Sequence, residues 1–246
     1  MKTVVIEDFE SSLISSREII LANIQKEFQD IAIEGHIFGS LARGDSDAYS
    51  DIDIWFTFKD EDFDEIYNKR FVYYANFGDI IHACEAPQNA PIKGVHTALL
   101  IRSQSGVISV TDIYLCPLST AYITDDGKKI FGLDLPAGAI GFNPKKVTVD
   151  TDYRIDFLIC FIFSSIKKLA RNQSEPLKAL LEQYQYLSDR YGIVIEPLLS
   201  NRQDFTSLKD IVENIHKVAN EKQQKTLQAI SYFIEQVEIN CITSLT

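Results

Sequence analysis

The sequence has few cysteines, and their spacing excludes the common zinc-binding patterns. Cys84, Cys116, Cys160 and Cys241 are far apart in the chain, so no CxxC pair is present. Three of the four lie within apolar runs, where cysteine usually serves as a small buried side chain. This usage is typical of a protein in a reducing compartment.

Long apolar runs are also missing. The longest dense run covers residues 157–163, whereas a helix needs about 20 apolar residues to cross a bilayer. The first residues turn acidic at Glu7 and Asp8, where a signal peptide would remain apolar. We therefore expect no membrane partner and a cytoplasmic location.

Basic residues are scarce relative to acidic ones. The 246 residues include 24 Lys and Arg against 35 Asp and Glu, a net charge of −11. Residues 1–147 hold 13 of the basic and 22 of the acidic residues, so most of the acidic excess lies there. An acidic surface repels a phosphate backbone and attracts cations. This balance argues against a long nucleic acid as the partner and suits a cationic small molecule.

The pattern of apolar residues changes near residue 148. Before it, strand-like and helix-like segments mix, beginning with a helix predicted over 16–29 that Ser15 and Glu18 would cap. After it, every apolar pattern has a helical period. We predict an α+β fold, with a domain over 1–147 built on a mixed sheet with flanking helices and an all-α helical bundle over 148–246. The join at 141–146 has loop composition.

One block of the sequence combines a glycine-serine pair with two aspartates. The chain reads Phe-Gly-Ser at 38–40 and Ser-Asp-Ile-Asp-Ile at 50–54, the latter on a predicted strand. Because strand side chains alternate, Asp51 and Asp53 point to one face with their Cα atoms about 6.5 Å apart. Two such carboxylates can bridge a pair of Mg²⁺ ions, the arrangement used for in-line phosphoryl transfer.

Gly39 and Ser40 lie where a predicted strand turns into a short helix. Such a junction presents free N–H groups to anions, glycine permits a close approach, and the Ser40 hydroxyl can donate to a phosphate oxygen. A third carboxylate, Asp112, shares a face of a later predicted strand with Val110 and Tyr114. A carboxylate among apolar side chains is costly unless it is paired or binds metal, so we assign Asp112 to the metal site; a strand-end aspartate that faces solvent is the alternative. The four histidines lack ligand spacing and receive no role.

Gly39-Ser40, a gap of ten residues and the Asp-x-Asp of Asp51 and Asp53 resemble the signature of the DNA polymerase β-like nucleotidyltransferase superfamily. Asp112 matches its later strand carboxylate. The resemblance implies an enzyme in which the three aspartates are catalytic and hold two Mg²⁺ ions, with ATP or another NTP as co-substrate. It further implies that Gly39 and Ser40 bind the phosphates, and that Asp112 binds the metal near the acceptor, accepts its proton, or both.

A catalytic domain followed by a helical bundle is similar to the antibiotic nucleotidyltransferases. Those enzymes transfer a nucleotide, usually AMP, to a hydroxyl of an aminoglycoside or a lincosamide, and so confer antibiotic resistance. A basic residue of their bundle often reaches the triphosphate, which makes Lys168 or its neighbour Lys167 a candidate; a solvated helix end is the alternative. Arg43 is a further candidate phosphate ligand, the alternative being an ion pair with Asp45. By analogy the chain would form a homodimer.

Two other functions stay open at this point. The same fold could nucleotidylate a protein, as antitoxin-type nucleotidyltransferases are thought to do, although the additional helical bundle counts against it. A tRNA or poly(A) acceptor is a variant that the acidic charge disfavours. A non-catalytic nucleotide-binding module is the third reading, and the presence of Gly-Ser with all three carboxylates argues against it.

Overall fold

The computed structural model of the chain describes residues 8–138, 150–191 and 203–243. Two compact units make up the chain: residues 10–147 form one, and residues 1–9 with 148–246 form the other. That 1–147 and 148–246 fold as independent domains stays a prediction.

In its described residues the first unit holds three α-helices and a six-stranded sheet. The helices are α1 (Phe9–Phe28), α2 (Gly39–Arg43) and α3 (Asp60–Tyr74), and the strands are β1 (Glu34–Phe38), β2 (Ile52–Phe58), β3 (Asp79–Glu85), β4 (Val95–Arg102), β5 (Ile108–Pro117) and β6 (Lys128–Gly132). The strand order is β3-β4-β5-β2-β1-β6. Only β2 and β5 pair in parallel among these neighbours, so the described sheet is mixed, as predicted.

One face of the sheet forms the core of this unit together with α1 and α3. The alternate residues of β2 are completely buried in it: Ile52, Ile54, Phe56 and Phe58. Phe28 of α1 packs on this row, with its ring centroid 4.6 Å from that of Phe56. Because strand side chains alternate, Asp53 and Trp55 project from the opposite face.

The start of α1 differs from the prediction. The helix begins at Phe9 rather than Ser16, and Ser15 lies exposed within it instead of capping it. Leu13 is buried and extends the stripe of Ile20 and Ile24 towards the N-terminus, so burial of the helix face outweighs the local capping pattern. Ile19, next to Ile20 in the same helix, lies on its outer face and is 63% exposed.

The described part of the second unit is helical. Its helices are α4 (Thr151–Ala170), α5 (Lys178–Tyr191), α6 (Phe205–Val218) and α7 (Glu221–Thr243). The apolar residues of α6 and α7 recur with the helical period expected after residue 148, and they are buried: Leu208, Ile211, Val212 and Ile215 in α6, and Leu227, Ile230, Ile234 and Val237 in α7. With the mixed sheet before it, this unit confirms the predicted α+β fold. The join predicted at 141–146 lies outside the described residues.

Polar contacts at helix ends add to the burial of these stripes. The carboxylates of Asp150 and Asp204 accept the N–H groups of Tyr153 and Ser207, each at 2.8 Å, and so cap α4 and α6. Buried Gln223 of α7 donates to the Asp152 carbonyl at 2.9 Å and ties α7 to α4. None of the described helices combines the length and hydropathy that spanning a bilayer requires.

Candidate active site

The parallel pairing of β2 with β5 places two of the predicted site carboxylates side by side. Asp53 of β2 is the register partner of Asp112 of β5, and neighbouring strands lie about 4.8 Å apart. Both residues are half-buried and lie on the sheet face opposite the α1–α3 core. Asp51 comes directly before β2 and is also half-buried.

The pKa of Tyr114 responds to all three predicted site aspartates. It follows Asp112 by two residues on β5, so the two side chains share a face. Burial raises the pKa of the Tyr114 phenol, and the negative charges of Asp112, Asp53 and Asp51 raise that pKa further. All three aspartates therefore lie close enough to Tyr114 to influence its phenol, and the strand register places Asp53 and Asp112 side by side.

Gly39 is the residue at which β1 passes into α2, and its position requires glycine. Its φ of +68° lies in the left-handed region that other residues rarely adopt. A Cβ here would also overlap Oδ2 of Asp53, whose strand pairs with β1 at Phe38. The Gly39 backbone thus lies directly against a carboxylate of the candidate metal site, and half-buried Ser40 follows in the first turn of α2.

Asp126 lies at this site although the sequence does not reveal it. Its Oδ2 accepts hydrogen bonds from the Gly39 N–H at 3.1 Å and from the Arg43 guanidinium at 3.0 Å, and Thr124 donates to Oδ1 at 3.0 Å. Burial opposes ionisation, but the hydrogen bonds from Thr124, Gly39 and Arg43 outweigh it and lower the pKa of Asp126. Two donors predicted to bind phosphate therefore bind a protein carboxylate in this structure.

Sequence reasoning could place Asp126 only in the turn before β6. That turn is present, since the Gly127 N–H donates to the Thr124 carbonyl at 2.8 Å. Asp126 and Gly39 are 87 positions apart, and only the pairing of β6 with β1 brings their segments together. No local pattern reports such a contact.

Arg17 of α1 holds the loop that leads to Asp51, and it too was missed by the sequence pattern. Its guanidinium donates to the backbone carbonyls of Asp47 at 2.5 Å and Ser50 at 3.3 Å. The residue is 7% exposed; burial lowers its pKa, while the charges of Asp47, Glu18 and Asp51 act in the opposite direction. Arg17 thereby positions the backbone immediately before the first site aspartate.

His96 of β4 contacts the third aspartate. Its Nε2 lies 2.9 Å from Oδ1 of Asp112. The His96 side chain is 4% exposed and that of Asp112 is 23% exposed. Ligand spacing along the sequence could not indicate this residue, because the contact crosses from one strand to the next.

The acidic residues fit a magnesium site better than a metal site formed by protein ligands alone. Across residues 8–138, 150–191 and 203–243, no three His, Cys, Asp or Glu side chains are gathered closely enough to enclose a metal ion. Mg²⁺ needs fewer protein ligands, because it keeps waters and binds substrate phosphates together with one or two carboxylates. Adjacent Asp53 and Asp112, with Gly39 against Asp53, suit that kind of site.

The remaining predicted residues lie in different surroundings. Arg43 is exposed and pairs with Asp45 at 3.3 Å, the predicted alternative, in addition to its contact with Asp126. Lys167 and Lys168 lie half-buried in the last turn of α4, in the second unit. Their role at the phosphates stays a prediction.

A family model described as a nucleotidyltransferase domain matches residues 18–103. The match extends from α1 through β4 and contains Gly39, Ser40, Asp51 and Asp53, while Asp112 lies beyond it. No curated protein sequence matches the chain.

Several solved structures resemble the chain weakly. An aminoglycoside 6-adenyltransferase from Bacillus subtilis is 14% identical over 92% of this chain and 96% of that chain, with a TM-score of 0.29. The STING-associated CdnE c-di-GMP synthase from Capnocytophaga granulosa is 14% identical over 95% and 83%, with a TM-score of 0.31. The CdnE cyclic dinucleotide synthase from Elizabethkingia meningoseptica, solved with GTP and Apcpp, is 15% identical over 95% and 99%, with a TM-score of 0.26. Scores this low assign neither an acceptor nor a product to this chain.

Proposed function

Because the chain contains a nucleotidyltransferase domain, consistent with the DNA polymerase β-like superfamily, we propose that it transfers a nucleoside monophosphate from an NTP to a small acceptor. The transferred group is AMP by preference, the acceptor group is a hydroxyl, and pyrophosphate is the second product. The observation that carries this proposal is the register pairing of Asp53 with Asp112 beside the backbone of Gly39.

The three aspartates have the main chemical role in this proposal. Asp51, Asp53 and Asp112 would hold two Mg²⁺ ions, which when bound neutralise charge on the phosphates and on the attacking oxygen. Asp112 also accepts the proton of the acceptor hydroxyl. The acceptor oxygen then forms a bond to the α-phosphorus while the bond from that phosphorus to the oxygen bridging to the β-phosphate breaks.

The phosphates require donors, and the junction of β1 with α2 supplies them. The Gly39 N–H, the Ser40 hydroxyl and the Arg43 guanidinium bind the β- and γ-phosphates, with Lys168 as a further cation. Gly39 and Arg43 already bind an anionic group, the Asp126 carboxylate, which supports their suitability for phosphate oxygens. The triphosphate takes the place of that carboxylate when it binds.

The charge of the chain supports a cationic acceptor. A net charge of −11 attracts amino groups over a long range, which suits an aminoglycoside or a lincosamide and makes antibiotic resistance the proposed biological role. A cytoplasmic location is part of the same proposal, because ATP and Mg²⁺ are abundant there.

Pyrophosphate release tests the proposal. The protein is incubated with Mg²⁺ and each of the four common NTPs against a panel of aminoglycosides and lincosamides, and the acceptor is then examined by mass spectrometry. We expect release that depends on an acceptor, and an acceptor heavier by one nucleotide. Asp53→Asn should lower the rate by about 100-fold or more, because it removes charge stabilisation needed at the phosphates.

Asp64→Asn is the matched control for this experiment. It makes the same change of charge at an exposed position of α3 and should retain the wild-type rate. Release without any added acceptor would point to a hydroxyl of the nucleotide itself. NTP binding without release would favour a protein acceptor or a binding module, and the absence of NTP binding would refute the proposed activity.

A further inference from the structure

The activity proposed above assigns no role to the buried contact between His96 and Asp112. We infer that His96 is a positioning residue, which fixes the carboxylate of Asp112 for nucleotide transfer by holding one of its two oxygens. This inference rests on the proposed function, because it assigns a role at the same site. His96 itself touches neither the nucleotide nor the acceptor.

The register of the sheet explains how His96 reaches Asp112. On β4, Ala98 is the partner of Asp112 and His96 is the partner of Tyr114, so His96 lies diagonally across from the aspartate. Diagonal neighbours on antiparallel strands are about 7–8 Å apart, a distance that an aromatic ring can bridge. Ala98, the direct partner of Asp112 on β4, has no polar group to offer the carboxylate.

The His96 ring is held in one place by its surroundings. It is almost completely buried and packs on Tyr114, with 4.5 Å between ring centroids. Tyr114 stacks on Trp55 at 5.6 Å, and Trp55 stacks on His36 at 5.7 Å. This row of four rings crosses β4, β5, β2 and β1, so a rotation of His96 would disturb packing over most of the sheet.

The hydrogen bond leaves the two oxygens of Asp112 in different situations. An ionised carboxylate only accepts, so Nε2 carries the proton that is donated to Oδ1. The other ring nitrogen, Nδ1, is buried without a hydrogen-bond partner among the described residues. The ring thus makes a single polar contact, and that contact commits Oδ1 while Oδ2 stays available for a cation or for the acceptor's proton.

One bound and one available oxygen suit the role proposed for Asp112. Ligating carboxylates are usually oriented by hydrogen bonds from groups behind them, and loss of such a group typically lowers metal affinity or activity about 10–100-fold. Asp53, the neighbour on β2, instead lies so close to Gly39 that a Cβ there would overlap its Oδ2. The two adjacent carboxylates therefore meet the protein on opposite sides, Asp53 at the start of α2 and Asp112 at His96 of β4.

Three substitutions separate positioning from packing. His96→Phe keeps a ring on Tyr114 and removes the donor, His96→Gln places an amide nitrogen where Nε2 lies, and His96→Asn places one too short to reach. We expect kcat to fall about 10–100-fold in His96→Phe and His96→Asn, with KM for the NTP nearly unchanged. His96→Gln should recover most of that loss.

A double-mutant cycle with Asp112→Asn tests whether His96 acts through the aspartate. We expect His96→Phe to have little further effect on residual kcat once Asp112 is replaced. Mn²⁺ binding followed by electron paramagnetic resonance provides a measurement independent of turnover. The affinity of the protein for Mn²⁺ should fall in His96→Phe and be restored in His96→Gln. Circular dichroism establishes that each variant is folded.

The outcomes distinguish this inference from the proposed function. If the wild-type protein transfers nucleotide and His96→Asn does so at the same rate as His96→Gln, positioning by His96 is wrong while the activity stands. An equal loss from His96→Phe with and without Asp112 would also overturn it. If the wild-type protein transfers nothing, the proposed function fails, and the Mn²⁺ affinities of the Phe and Gln variants alone decide the role of His96.

Discussion

Gly39 and Gly44 both adopt left-handed conformations, but only Gly39 lies against a site aspartate. Alanine substitutions at the two positions therefore distinguish the effect of backbone strain from that of displacing Asp53. Gly39→Ala adds a methyl group that overlaps Asp53, whereas a Cβ on Gly44, at φ +79°, meets no atom within 4 Å. Both changes impose strain of about 1–3 kcal/mol, measurable by urea unfolding. Only Gly39→Ala should also lower kcat/KM, by about 100-fold, because it displaces the carboxylate of Asp53, which we propose to be catalytic. Equal kinetic losses in the two variants would contradict the placement of Gly39 beside Asp53.

A second prediction at the scale of single residues concerns Asp126. If its carboxylate occupies donors that serve the triphosphate, Asp126→Asn should lower KM for the NTP roughly 2–10-fold, since an amide binds Gly39 and Arg43 less strongly than a carboxylate. Steady-state kinetics at saturating acceptor give this value. Asp125→Asn, an exposed change of charge in the same turn, should leave KM unaltered. A higher KM in Asp126→Asn would mean that Asp126 organises these donors instead of competing for them.

At the scale of elements, the contact between α1 and the loop before β2 positions the first aspartate. Arg17→Met removes the guanidinium donor from the buried carbonyl of Ser50 and from the carbonyl of Asp47, and we expect the free energy of unfolding to fall by about 1–3 kcal/mol. The loop carrying Asp51 should also shift, which would reduce kcat about 100-fold. Chemical unfolding and steady-state kinetics measure the two effects separately.

Arg102→Met is the comparison for this variant. Arg102 lies at the exposed end of β4 and pairs with Asp79 at the surface, where an ion pair contributes about 1 kcal/mol or less. Its loss should change stability slightly and kcat not at all. Full activity in Arg17→Met would show that the loop keeps its position without the guanidinium.

At the scale of the whole molecule, the acidic charge predicts how salt affects the acceptor. Raising ionic strength from 0.1 to 1 M shortens the Debye length from about 10 Å to about 3 Å, so long-range attraction is lost. We expect KM for a polyamino acceptor to rise roughly tenfold at saturating NTP. The same acceptor with its amino groups acetylated should show little salt dependence. An equal rise for both compounds would exclude attraction by the charge of the protein.

Two further expectations belong to this scale. The homodimer implied by the family resemblance is checked by light scattering, which gives the mass in solution. Independent folding of 1–147 and 148–246 is checked by whether the chain unfolds in two steps or one in urea. Neither expectation enters the proposed chemistry, which uses residues of the first unit apart from Lys168.

Local patterns were sufficient for part of this protein. The apolar patterns predicted a strand at β2 and helices after residue 148, because the side-chain period depends on backbone geometry alone. Strand alternation also predicted that Asp51 and Asp53 share one face. The spacing of Gly39-Ser40 and the two aspartates indicated nucleotidyltransferase chemistry for the same reason, since a strand, a turn and a strand are local units.

The contacts between distant segments were decided only by the tertiary structure. The parallel register that sets Asp53 against Asp112 depends on how β2 and β5 slide past each other, and nothing in either segment specifies that partner. Asp126, Arg17 and His96 reach the site from β6's turn, α1 and β4, each by a hydrogen bond across many residues. Sequence therefore predicted which residues carry the chemistry. Strand pairing determined which residues orient them, because hydrogen bonds between distant segments form only when the whole sheet assembles.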